Sequence, residues 1–204
     1  MQTGWIDFCG VLLIPALLAA QAPEKGERDR AMSYLHATRK QFLDSIEGLS
    51  EEQWRWKPGA ERWSVAEVAE HITAAEQFIF EEAIQKLLQG PKAAPDALAK
   101  TKGKEEIIAH RVPDRSRRVQ APEPIVPVGR FANRAELTAA FRERRDRTIG
   151  FIEKTQAELR SYVAPHPALG EIDAYQWVLF LAAHTDRHIR QLIEVKQTPG
   201  FPAR

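Results

Sequence analysis

The sequence predicts an all-α protein, a four-helix bundle with one long crossover between its second and third helices. Three observations carry this expectation. Four segments of roughly twenty residues have apolar positions recurring at three- and four-residue steps, start and stop signals bracket them, and no alternating run is long enough to make a sheet. A chain of 204 residues with 44% hydrophobic and 28% charged residues also has the balance of one globular domain.

The first helix is read over Glu24 to Leu49, where Met32, Leu35, Thr38, Phe42, Ile46 and Leu49 share a face. Gly48 and the stretch from Leu49 to Trp54 mark a stop and a short further turn, and Lys57-Pro58-Gly59 then breaks the chain. Trp54, Trp56 and Trp63 surround this connection and are expected to pack against the end of the bundle. The second helix opens with Ser64-Val65-Ala66-Glu67, a capping box in which hydroxyl and carboxylate satisfy two orphan backbone donors. It continues through Val68, Ile72, Ala75, Ile79, Ala83 and Leu87 to the stop signal Gly90-Pro91.

Residues 91–130 hold Pro91, Pro95, Pro113, Pro122, Pro124 and Pro127 and read as a loosely ordered insertion, with at most a weak helical patch from Lys104 to His110. Asn133-Arg134-Ala135-Glu136 repeats the capping pattern, and Leu137, Phe141, Thr148, Ile152 and Leu159 carry the third helix. Within it Arg142, Arg144, Arg145 and Arg147 interleave with Glu143 and Asp146, which reads as a solvated face. After a loop from Pro165 to Gly170, the fourth helix starts near Asp173. Its stripe of Trp177, Leu181, His184, His188, Leu192 and Val195 runs to Thr198-Pro199-Gly200, so the bundle spans 24–201.

Residues 1–22 read as a secretory signal peptide. The apolar run Val11 to Ala20 is shorter than the roughly twenty residues a bilayer span needs, and Ala20-Gln21-Ala22 offers small residues for cleavage after Ala22. The segment before the run has no Lys or Arg, so its positive charge is the terminal amine alone. A genuine leader makes the protein periplasmic or extracellular, with no membrane attachment after cleavage; otherwise it is cytoplasmic. Cys9 is the one cysteine and leaves with the leader, so a metal in the mature chain must use imidazole and oxygen. The 29 basic and 28 acidic side chains leave a net charge of +1, too small a field to favour nucleic acid or an anionic membrane.

His184-Thr185-Asp186-Arg187-His188 places two imidazoles four residues apart on one helix face, where they can share one ion. His71, three residues after Val68 and four before Ala75, lies on or beside the buried stripe of the second helix. Three neutral imidazoles from two helices make an open tri-histidine site in which a divalent ion, with zinc or nickel the first candidates, keeps at least one position for water or substrate. Buried imidazoles with no partner would cost on the order of kilocalories each, which argues that something satisfies them. His36 lies off its helix stripe and His110 and His166 fall in Pro-flanked loops, so none of these is expected to be a ligand.

Trp63-Ser64-Val65-Ala66-Glu67-Val68-Ala69-Glu70-His71-Ile72, followed far downstream by His184-Thr185-Asp186-Arg187-His188-Ile189-Arg190-Gln191-Leu192, resembles the DinB-like superfamily in its YfiT-like branch. The likeness covers roughly Ala31 to Phe201. It implies a four-helix bundle that commonly dimerises, with a metal held by His71, His184 and His188, and a small-molecule substrate. Among the reactions it implies, metal-dependent hydrolysis comes first, with thiol-dependent S-transfer as the alternative. A non-catalytic protein that holds a metal or small ligand outside the cytoplasm is a third reading. The leader and the insertion depart from the family pattern, and small cofactor thiols belong to the cytosol, so export weighs against S-transfer. Glu67, Glu76 and Gln191 lie near the histidines in sequence, but the catalytic residues stay unassigned.

Overall fold

The computed structural model describes residues 22–203; apart from Ala22, the expected leader lies outside the described residues. Helix α1 spans Lys25–Ile46 and the short α2 spans Glu51–Arg55, followed by α3 at Val65–Phe78. The insertion contributes α4 at Pro95–Ala99 and α5 at Lys104–Arg111. Helix α6 at Arg134–Lys154, the strands β1 at Val163–His166 and β2 at Gly170–Asp173, and α7 at Ala174–Gln197 complete the chain. The four long helices α1, α3, α6 and α7 form the expected bundle. They neighbour one another in the cyclic order α1, α6, α3, α7, so α3 packs directly against α7 while α1 and α3 lie on a diagonal.

The caps fall where the sequence places them. The Ser64 hydroxyl accepts from the Glu67 amide while the Glu67 carboxylate accepts from the Ser64 amide. Asp173 and Gln176 make the same reciprocal pair at the start of α7. At α6 the Asn133 side chain accepts from the Glu136 amide, and Glu136 accepts instead from the Ala132 amide. Beyond Phe78 the second long helix continues as a wider π turn over Ile79–Gln85 and a 3-10 turn over Leu87–Gln89 before Gly90.

Two expectations about the connections fail. The stretch from Pro165 to Gly170, read as a loop, lies within an antiparallel hairpin over residues 163–173 in which Val163 faces Asp173 and His166 faces Gly170. Its strands are four residues long and carry Pro165, so neither length nor alternation could signal them. The insertion is not loosely ordered either. Ile108 and Ile125 are buried, α5 packs on α7, and Lys104 donates to the carbonyls of Leu169 and Glu171 at 2.6 Å each. Among the described residues, no helix is long and apolar enough to cross a membrane.

The apolar core is divided into two clusters, one around Leu35, Ile79, Ile149 and Val178, the other around Phe42, Ile72, Phe141 and Leu192. Between them on the four long helices lie Thr38, Glu76, Arg145 and Thr185, all buried. Arg145 is fully buried, not on a solvated face as its neighbours Arg142 and Arg147 are. Its Nε and Nη2 donate to the two Glu76 oxygens at 2.9 and 2.7 Å, and Nη2 also reaches the Thr185 hydroxyl at 2.8 Å. Nη1 donates to the Leu35 carbonyl and the Thr38 hydroxyl, both at 2.8 Å, so all five donors are engaged.

Removing one partner of a buried pair strands the other charge, which costs about 3–5 kcal/mol, whereas replacing both with apolar groups is often near neutral. Arg145→Met is therefore expected to lose about 3–5 kcal/mol in urea unfolding, and Arg145→Met combined with Glu76→Met to lose far less. Equal losses in single and double variants would contradict the assignment.

Candidate metal centre

Helix α3 supplies His71 and helix α7 supplies His184 and His188, the latter two on adjacent turns of one face. One ring nitrogen from each lies within 4.8 Å of the others, so the structure brings together all three residues the sequence singled out. Their ring centroids stand 5.1 Å apart for His71 and His184, 4.3 Å for His71 and His188, and 4.5 Å for His184 and His188. His71 and His188 are buried and His184 is half-buried, which leaves the His184 side as the approach.

Two of the tautomers follow from hydrogen bonds. His71 Nδ1 lies 2.8 Å from the Ile125 carbonyl, which can only accept, so Nδ1 carries the proton and Nε2 is bare. His188 Nδ1 lies 2.8 Å from Gln191 Oε1, an atom that also accepts from Arg115 Nη1 at 3.2 Å. Arginine can only donate, so the amide presents its oxygen and His188 Nδ1 is the donor. The two Nε2 atoms then face each other at 3.1 Å, lone pair toward lone pair.

That arrangement is repulsive unless a cation lies between. Nitrogens about 2.0–2.1 Å from one ion stand about 3.3 Å apart in tetrahedral geometry and about 2.9 Å in octahedral geometry, so the observed spacing suits a shared ion. His184 adds a ring without a protein hydrogen-bond partner among the described residues. The three donors thus fit a divalent metal, and among the described residues no carboxylate joins the cluster.

The sequence model of the DinB superfamily matches residues 34–192, more than three quarters of the chain. The chain belongs to the DinB superfamily. It is 29% identical over 167 residues to the uncharacterized protein YuaE of Bacillus subtilis (strain 168), covering 81% of this chain and 97% of that one. Its fold matches the solved structure of YfiT from Bacillus subtilis with a TM-score of 0.55 at 12% identity, over 88% of this chain and 91% of that one. YfiT is described as a probable metal-dependent hydrolase with an unusual four-helix bundle topology.

In this DinB-superfamily chain the insertion supplies the carbonyl that orients His71 and, through Arg115 on Gln191, steadies the partner that orients His188. Ile125 ends a 3-10 turn at Glu123–Ile125 and is held near His71 by the next few residues. There Glu70 accepts from the backbone N–H groups of Val128, Gly129 and Arg130 and from Arg130 Nη1 at 2.8 Å. Gly129, at φ +81, permits this convergence of successive amides on one carboxylate. Sequence reasoning missed Glu70, Ile125 and Arg115, because their roles depend on the path of a Pro-rich segment with no period to read. Trp63, expected only at the bundle end, packs its ring 4.9 Å from that of His71.

The sequence-adjacent proton carriers are otherwise engaged. Glu67 caps α3 and pairs with Lys57 at 2.9 Å, Glu76 is held by Arg145, and Gln191 orients His188. His36 and His110 are exposed and away from the site, as expected. His166 lies on β1 with its ring 4.4 Å from Phe180, which is itself 5.8 Å from His184.

Burial pushes all three histidines toward the neutral form that a metal requires. His71 falls from the ordinary 6.5 to about 4, chiefly by desolvation, against which the Ile125 carbonyl works. His184 and His188 are pushed well down by desolvation and by their histidine neighbours. Between the two pKa values of His71 the unfolded chain binds more protons than the folded one, so metal-free stability is lost as pH falls from about 6.5 toward 4. The loss from His71 alone is on the order of 3 kcal/mol. Urea unfolding in a chelator across this range is expected to show that slope and His71→Asn a shallower one; a flat wild-type profile would contradict the buried neutral assignment.

Proposed function

We propose that the chain is a metal-dependent enzyme with hydrolase-type chemistry on a small substrate, with His71, His184 and His188 holding one divalent ion, zinc or nickel. The observation that carries this reading is the pair of bare Nε2 atoms at 3.1 Å beside a third imidazole that has no hydrogen-bond partner among the described residues. Three protein ligands, and no fourth among the described residues, leave a coordination position for substrate. A bound divalent ion supplies Lewis acidity there, which is what makes water a competent nucleophile at neutral pH. The description of YfiT as a probable metal-dependent hydrolase on the same fold supports this choice of reaction.

The chain's own groups fix and exclude. The Ile125 carbonyl and Gln191 hold the His71 and His188 rings with Nε2 inward, the second-sphere arrangement that raises ligand basicity. Trp63 flanks His71 and Phe180 flanks His184 with aromatic surface.

One observation favours a second reading, thiol-dependent S-transfer. Glu67 and Glu76 are committed elsewhere, and a thiol at a metal is deprotonated without a protein base. A screen of ester, amide and thiol substrates separates the two, and substrate-free binding without turnover would leave the extracytoplasmic ligand-holding role.

Elemental analysis of gently purified protein is expected to return about one divalent ion per chain, held by the three-histidine set. A chelator then lowers Tm by mass action, and His184→Ala abolishes the metal. A metal-free wild type whose Tm ignores both chelator and added zinc would overturn the reading. Gln191→Ala, which frees the His188 ring, is expected to weaken metal affinity about ten- to hundred-fold with the bundle intact.

A further inference from the structure

We infer that Arg160 and the three carboxylates gathered on it, Glu27, Glu105 and Asp173, form a proton-operated latch that fastens the insertion to the bundle, closing in acid and loosening as pH rises.

Arg160 lies in a 3-10 turn at Leu159–Ser161, between α6 and the hairpin. Its Nε and Nη2 donate to Glu27 Oε1 on α1 at 2.9 and 2.6 Å. Its Nη1 donates both to Glu105 Oε1 on α5 and to Oδ2 of Asp173, the residue that caps α7, the latter at 2.9 Å. One guanidinium thus joins α1, the insertion and the start of α7. Gln176 adds a second tie from α7, its Nε2 reaching Glu105 Oε1 at 3.1 Å and the Thr101 carbonyl at 2.7 Å.

With every carboxylate ionised, the cluster sets three negative charges against one positive. Glu105 and Asp173 meet on the same nitrogen, and the Asp173 side chain is 2% exposed, so water does little to screen the pair. The neighbouring charges are spoken for. Arg30 on α1 pairs with Glu106 on α5 at 2.8 Å, Lys104 is turned to the carbonyls of Leu169 and Glu171, and Glu158 is held by Lys92. Tyr175 lays its ring 4.3 Å from the Arg160 guanidinium and donates its hydroxyl to the Glu27 carbonyl. Where two carboxylates share a buried site, one of them takes a proton well above the ordinary carboxylate range.

Asp173 is that residue. Burial pushes its carboxyl up to about 6, against the pull of Arg160 and the Gln176 amide and with help from Glu105. Burial acts on Glu105 in the same sense but is outweighed there by hydrogen bonds, among them those from Arg160 and Gln176, which hold its carboxyl down. A protonated Asp173 keeps Oδ1 as the acceptor of the Gln176 amide, and its other oxygen changes from a neighbour that repels Glu105 into a donor. The folded pKa is raised, so the contribution is complete below the ordinary 3.8 and is lost as pH rises through about 6. The three histidines run in the opposite sense, so this junction tightens in acid where the metal-free cluster weakens.

Hydrogen exchange of the α5 amides is followed from pH 7.5 to 5 in wild type and in Asp173→Asn, which caps a helix equally well and mimics the protonated acid. Relative to the variant, wild-type α5 protection is expected to rise about tenfold as pH falls across this range, with no relative change at the remote α2 amides. A carbon-13 titration of the Asp173 carboxyl in wild type is expected to show a midpoint near 6 and needs no variant. A midpoint in the ordinary carboxylate range, the same α5 profile in both proteins, or an equal change at α2 overturns the inference. None of these readouts involves a metal, so the metal reading stands or falls separately.

Discussion

The buried guanidinium of Arg145 is the constraint on which the arrangement of this bundle depends. From α6 it reaches Leu35 and Thr38 on α1, Glu76 on α3 and Thr185 on α7, so one side chain touches all four long helices. Glu76 lies five residues after His71, and Thr185 directly follows His184. The contact that fixes the register of α3 against α7 therefore also sets the heights of the three clustered histidines. An apolar contact would tolerate a slide of one turn along the interface; a fork with every donor engaged does not. A buried pair of this kind contributes little net stability beside well-packed apolar residues, and its value here lies in register.

Much of the fold was legible, because helix periods and caps are local properties. Ser64 with Glu67 made its capping box, α7 begins just after Asp173 as expected, and the stripes of α1 and α7 became buried faces. The three histidines were legible for a related reason: a spacing of four on one face, and a third imidazole on another buried stripe, survive any detail of packing. Arg145 was misread because a basic run among acidic residues looks solvated, and only the positions of Glu76 and Thr185 on other helices reveal it as core. The hairpin at 163–173 escaped notice because four-residue strands carry too little pattern.

The insertion marks the limit of sequence reasoning in this DinB-superfamily chain. Its prolines and lack of period suggested loose order, yet it folds back over α3 and α7. Ile125 orients the His71 ring, Arg115 steadies that of His188 through Gln191, and Arg187 binds three of its carbonyls. These are mostly backbone interactions, which any sequence can make and none announces. Under the proposed metal reading, metal affinity and insertion order would be coupled: loosening the segment would free the His71 ring, and an ion held by the rings would favour the docked segment.

The central claim is that His71, His184 and His188 converge on one ion with the Nε2 atoms of His71 and His188 inward. Anomalous diffraction at the absorption edge of the native metal tests this most directly. The account predicts a single strong peak bonded to those two Nε2 atoms and a nitrogen of His184, at about 2.0–2.2 Å from each, with the Ile125 and Gln191 contacts retained. A peak elsewhere in the chain, or rings turned so that Nδ1 faces the ion, would contradict it.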